Sequence, residues 1–145
     1  MKKLWLLCCA AVSLASGCRT PGRPASDAAP SSGPPHPFVQ NLDAATSERL
    51  LRDHPDVRVL DVRTPEEFAA GHLAGAINLD YFNANFREKA AHLDKTKPYL
   101  IHCATGRRSA QAREVLRGLN FTALYHLEGG YKAWVTAGYP IQRTP

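Results

Sequence analysis

Cysteine is scarce in this chain, with 4 among 145 residues. Three of them, Cys8, Cys9 and Cys18, fall within or just after the N-terminal apolar run, which leaves Cys103 alone in the remainder. A single thiol excludes an intramolecular disulfide framework and a cysteine-rich zinc site. Long apolar runs are also missing. The longest, Leu4 to Leu14, falls short of the roughly 20 residues a membrane-spanning helix requires. Charge of one sign is weak: 18 Lys and Arg stand against 13 Asp and Glu, a formal +5. Two of those positive charges, Lys2 and Lys3, sit at the extreme N-terminus, and no Lys/Arg block follows. So mild a balance does not argue for nucleic acid. There is no internal repeat.

What is there begins with a leader. Met1-Lys2-Lys3 forms a basic start, Leu4 to Leu14 the apolar stretch, and Ala15-Ser16-Gly17 a run of small residues before Cys18. This resembles a bacterial lipoprotein signal, in which residues 1–17 are removed and Cys18 is lipidated. Leu14 lies four residues before Cys18 and Ala15 three, where the commonest form of the motif has leucine. An ordinary cleaved signal with an incidental cysteine is the alternative. Arg19 to Pro37 holds six prolines among glycine, serine and alanine. Residues 18–37 therefore read as a lipidated cysteine and an extended, disordered tether. The resemblance implies a lipid anchor at the cell envelope. With Arg19 rather than aspartate after Cys18, it points to an outer membrane facing the periplasm. In the mature chain Cys103 is then the only free thiol.

Residues 38–143 carry the folded domain, in which strand and helix signals alternate. Strands are expected at Phe38–Gln40, Val57–Val62 with apolar alternation, Ala76–Leu79, Tyr99–His102 and Ala123–Leu127. Asp43 is placed to cap a helix ending near His54-Pro55. Thr64-Pro65-Glu66-Glu67 is a helix start with cap, first-turn proline and a glutamate three residues after the cap. Further helices are expected over Asn85–Leu93, along the stripe Ala112, Val115, Leu116 and Leu119, and over Gly130–Ala137. The alternation predicts an α/β fold: a central, mainly parallel five-stranded sheet with helices on both faces.

The stretch His102-Cys103-Ala104-Thr105-Gly106-Arg107-Arg108-Ser109 places a thiol at the C-terminal end of a strand, in a loop that opens a helix. Ligands of such sheets collect at that end. Backbone N–H groups, the positive end of a helix dipole and two guanidinium groups favour thiolate over thiol and would hold an anion against it. A lone cysteine at a strand end is elsewhere a small buried hydrophobe. Arg107 and Arg108 argue otherwise, because arginines beside a purely structural cysteine cost energy unless paired.

Three blocks in series resemble the rhodanese (sulfurtransferase) domain. They are Leu60-Asp61-Val62-Arg63-Thr64-Pro65-Glu66-Glu67-Phe68 with Gly71-His72-Leu73-Ala74-Gly75-Ala76-Ile77-Asn78, the Cys103 loop, and Leu127-Glu128-Gly129-Gly130-Tyr131-Lys132-Ala133-Trp134 with Gly138-Tyr139-Pro140. The resemblance implies a thiosulfate sulfurtransferase-like enzyme with Cys103 as the sulfur-accepting nucleophile. The backbone of Ala104, Thr105, Gly106, Arg107 and Arg108 would cradle a persulfide or substrate anion, and Arg107 or Arg108 would contact the donor's oxyanions. The implied partners are a thiosulfate-like donor and a thiol or cyanide acceptor. No metal, organic cofactor or nucleic acid is called for, and a monomer is expected.

Asp61, Arg63, Glu67 and His72 are read as structural support: Glu67 in a capping box, Arg63 paired with a neighbouring carboxylate below the loop, His72 a hydrogen-bonded turn residue. Strand alternation points His102 away from Cys103 and makes it a weak candidate base. Trp134 is read as core. Tyr81, Phe82 and Phe86 either line the mouth of the site or simply pack. Two rival readings stand beside the first. A cysteine phosphatase or arsenate reductase wants arginine six positions after the cysteine, where this chain has Ser109. A tethered persulfide carrier or interaction module shares every residue named here.

Overall fold

The computed structural model describes residues 38–143. The leader, Cys18 and the tether lie outside the described residues. The elements in chain order are β1 (Phe38–Leu42), α1 (Ala44–Asp53), β2 (Arg58–Asp61), α2 (Pro65–Ala70), β3 (Ile77–Asn78), α3 (Phe86–Ala91), β4 (Pro98–His102), α4 (Arg107–Arg117), β5 (Ala123–Leu127) and α5 (Gly130–Thr136).

The five strands form one sheet in the order β1-β5-β4-β2-β3. Every pairing among them is parallel. The long connections that parallel strands require are supplied by the helices. One core lies between the sheet and α3 and α4, and includes Leu60, Ile101, Phe86, Leu116, Phe121 and Leu124. The other faces α1 and α5, and includes Val59, Leu100, Leu127 and Trp134. Successive residues of β2 and β4 thus serve opposite cores. That is why Val59, Leu60 and Asp61 are all buried, as a sheet covered by helices on both faces requires.

Local chemistry sets the helix ends. Asp43 Oδ1 accepts the Thr46 N–H at 2.7 Å and starts α1. Thr64 Oγ1 accepts the Glu67 N–H at 3.3 Å while Glu67 Oε2 accepts the Thr64 N–H at 3.1 Å, closing a capping box at α2. Asn85 stands before α3 without a side-chain cap bond, and that helix ends at Ala91, two residues earlier than its apolar pattern suggested. The helix α4 begins at Arg107, directly after Gly106 in the left-handed region at φ 98°.

Candidate active site

Cys103 follows the last residue of β4, so the parallel sheet delivers its sulfur to the C-terminal rim. The residue is only 1% exposed and forms the floor of the loop. The Gly106 N–H donates to Sγ at 3.1 Å, and Ser109 Oγ lies 3.5 Å from it. Burial pushes the thiol up. Hydrogen bonds from the Ser109 hydroxyl and from the backbone N–H groups of Ser109, Thr105 and Gly106 outweigh it and hold the thiol below its ordinary value. The four donors come from the turn that opens α4, where the helix leaves its first N–H groups free.

The loop is gripped from below by α5. Tyr131 N–H donates to the Cys103 carbonyl at 2.8 Å and Lys132 N–H to the Ala104 carbonyl at 3.0 Å. This approach is close enough that a Cβ on Gly130 would overlap the Cys103 carbonyl oxygen and lie 2.9 Å from Ala104 C and Thr105 N. Gly130 of the third block thus lets α5 meet the Cys103 loop backbone to backbone.

Arg108 is fixed by a fork. Its two terminal nitrogens donate to Glu67 Oε2 and Oε1 at 2.7 and 2.8 Å. The Arg108 pair, together with the capping bond, holds the Glu67 carboxyl down at about 2. The exposed Phe82 ring lies 5.4 Å from the Arg108 guanidinium carbon. Phe82, Thr105, Arg107, Arg108 and Gln111 line a cleft of about 400 Å³ beside the loop. A larger cavity of about 510 Å³ opens elsewhere, around Val57, Arg58, Lys97 and Trp134 at the N-terminal ends of β2 and β4. It lies at the rim of the sheet opposite Cys103, whereas the smaller cleft is lined by Thr105, Arg107 and Arg108 of the cysteine loop.

The remaining predicted residues fall into a buried layer and a turn. Asp61 and Arg63 form a buried pair, with Arg63 Nε donating to both carboxylate oxygens at 2.9 Å. Arg63 also donates to the Gly71 carbonyl at 2.7 Å and lies 4.1 Å from the Tyr131 ring centroid. His102 Nε2 is 3.6 Å from Asp61 Oδ2, and burial lowers its basicity. Alternation along β4 gives it the sheet face opposite Cys103. His72 Nδ1 contacts the Phe68 carbonyl at 3.0 Å and its ring stacks on Phe68, within the turn after α2. Trp134 is core and donates Nε1–H to the Pro140 carbonyl at 2.9 Å. Phe86 is core and Tyr81 packs against it; Phe82 alone of the three lines the cleft.

Two residues near the sulfur carry no signal of their own in the sequence. Ser109 stands there only as the residue where a phosphatase would have arginine. His126 lies inside an ordinary strand, yet its Nε2 is 2.9 Å from Ser109 Oγ. Alternation places it there: Leu124 and His126 share the sheet face of Ile101 and Cys103.

Fold and site together define a class: a parallel α/β domain with a buried thiol at a strand end, set against the opening turn of a helix. The chain belongs to the rhodanese-like family, whose domain model matches residues 43–137. It is 39% identical over 103 residues to thiosulfate sulfurtransferase 16, chloroplastic, of Arabidopsis thaliana, covering 64% of this chain and 83% of that one. It is 36% identical over 92 residues to a thiosulfate sulfurtransferase of Pseudomonas putida, covering 63% and 81%. A solved rhodanese-related protein from Thermoplasma volcanium superposes with a TM-score of 0.62 at 36% identity, covering 71% of this chain and 97% of its own.

Proposed function

We propose that this chain transfers sulfane sulfur from thiosulfate, or a similar small anion, to a nucleophilic acceptor. The Cys103 thiolate attacks the outer sulfur of the donor. A new S–S bond forms on Cys103, the donor's S–S bond breaks, and sulfite leaves with its electron pair. A thiol or cyanide then attacks the outer sulfur of the Cys103 persulfide, and the thiolate is regenerated. The loop amides of Ala104 to Arg108 stabilise the negative charge at each stage. Arg107, exposed on the cleft, and Arg108, held by Glu67, face the donor's oxyanions. The observation that carries this reading is the Cys103 sulfur at the C-terminal rim of the sheet, 3.1 Å from the Gly106 N–H and 3.5 Å from the Ser109 hydroxyl at the start of α4.

The same geometry weighs against phosphate-ester chemistry. The sixth position after the cysteine holds a buried Ser109, its hydroxyl 3.5 Å from the sulfur, where a loop that wraps a phosphate wants arginine. A sulfur that is 1% exposed also suits a small donor better than a bulky ester. Intact-protein mass spectrometry after thiosulfate tests the proposal. One added sulfur on the wild-type chain and none on Cys103→Ser is expected; an unmodified wild-type chain would refute it.

We further propose, from the leader motif, that Cys18 carries a lipid and that the domain works at the cell envelope, on an outer membrane facing the periplasm. Radiolabelled fatty acid should enter the wild-type chain and not Cys18→Ala. Equal labelling of both would remove the anchor.

A further inference from the structure

Ser109 Oγ has three polar neighbours: Cys103 Sγ at 3.5 Å, the Gly106 carbonyl at 3.0 Å and His126 Nε2 at 2.9 Å. A hydroxyl has one proton to give. The sulfur competes for it with the Gly106 carbonyl and, where Nε2 is bare, with the imidazole as well.

The surroundings of His126 decide this. Its Nε2 also lies 3.1 Å from the Gly106 carbonyl oxygen. A carbonyl only accepts, so that approach is favourable when Nε2 carries a proton. The Nε2–H then serves both the Gly106 carbonyl and Ser109 Oγ as acceptors, which leaves the Ser109 proton to that carbonyl at 3.0 Å or to Cys103 Sγ at 3.5 Å, and an ionised sulfur is the stronger acceptor of the two. The other tautomer would set a bare nitrogen against a carbonyl oxygen. It would also place an N–H at Nδ1, which is buried with no partner. A buried orphan N–H is rarer and costlier than a buried orphan acceptor. Arg113 on α4 and Glu128 just beyond β5 are the charged groups that act on the ring, in opposite senses.

We propose that His126 is a positioning residue for the Cys103 thiolate: its Nε2–H tautomer turns the Ser109 hydroxyl onto the sulfur. The proposal rests on Cys103 being the sulfur-accepting nucleophile, and deepens that reading. His126 touches no substrate and acts through Ser109. Ser109 thereby holds a donor on the anion that would otherwise be spent on the imidazole.

The test uses the full-length chain and two readouts independent of sulfur transfer. Nitrogen chemical shifts of the isotope-labelled His126 ring should show Nε2 protonated and Nδ1 bare at neutral pH. The rate of Cys103 alkylation by iodoacetamide, followed against pH, should fall about tenfold at neutral pH in His126→Leu, on the scale of one hydrogen bond to a charged group. His126→Gln, whose amide N–H reaches about as far as Nε2, should restore most of the rate. Ser109→Ala should show the same fall, and adding His126→Leu to it should change nothing further. A bare Nε2, an unaltered pH profile in His126→Leu, or an undiminished effect of His126→Leu in the Ser109→Ala background would overturn the assignment. Should His126→Leu not fold, the ring-nitrogen shifts of the wild-type chain decide alone. A chain that passes these tests but gains no sulfur from thiosulfate would refute the proposed function and leave the His126 assignment standing.

Discussion

Glu67 and Arg108, 41 positions apart in the chain, meet in a two-bond fork that ties the start of α2 to the start of α4. The glutamate that closes a capping box at its own helix is therefore also the anchor of the arginine at the cysteine loop. One carboxylate makes local structure and positions a cation for the site.

This pair has a pH signature. The Glu67 carboxyl falls from an ordinary 4.5 to about 2 in the folded chain. A depressed carboxyl stabilises the fold above its unfolded value and loses that contribution as pH falls toward its folded value. The side chain is 35% exposed, so solvent screens the pair. We expect Glu67→Gln to cost about 1 kcal/mol at neutral pH. Urea unfolding should show the wild-type advantage intact above pH 4.5 and shrinking toward pH 2. A constant difference across that range would contradict the assignment.

Cys103→Ser should abolish thiosulfate turnover and leave the fold intact, because hydroxyl and thiol differ little in volume and the floor of the loop stays filled. Circular dichroism and a cyanide-acceptor assay on the same preparation check both halves. Residual turnover within tenfold of wild type would remove Cys103 from the reaction.

Gly130→Ala should weaken fold and activity together. Its Cβ would be driven into the Cys103 carbonyl, and φ of 58° already disfavours a side chain. A loss of about 2–4 kcal/mol is expected from strain of this kind. Thermal unfolding reads the first effect, and the alkylation rate of Cys103 in protein that still folds reads the second.

Asp61→Asn should be more damaging than its distance from solvent chemistry suggests. It leaves the Arg63 guanidinium, 3% exposed, without its counter-charge. Removing one member of a buried pair costs about 3–5 kcal/mol. Adding Arg63→Leu to Asp61→Asn should recover part of that loss, measured by denaturant midpoints. A double variant weaker than the sum of the single ones would argue against pairing as the cause.

The order and type of all ten elements were legible because each carries a local signature. Thr64-Pro65-Glu66-Glu67 spells out a helix start, and Pro98 to Ile101 a fully buried strand. The loop around Cys103 was legible for the same reason: cysteine, glycine and arginines are neighbours in the chain. What was hidden depends on register between distant strands. The parallel pairing of Ile101 with His126 brings that imidazole beneath the loop, and nothing within Ala123–Leu127 announces it. The Glu67–Arg108 fork was hidden likewise, since a capping box accounts for Glu67 without any reference to Arg108. The role of Gly130 emerged only once α5 was seen against the carbonyls of Cys103 and Ala104.

Parallel register fixes a polarity for the whole domain. Phe38 and Pro98 stand level, both opposite Ala123, and Cys103 lies five residues further along β4. At about 3.3 Å per residue that separates the entry of the chain from the thiol by roughly 16 Å along the strands. Any handle joined ahead of Phe38, whether a surface, a bead or a fused protein, meets the domain at the rim remote from the Cys103 sulfur. The face that carries Cys103 is thereby left turned outward on an immobilised molecule.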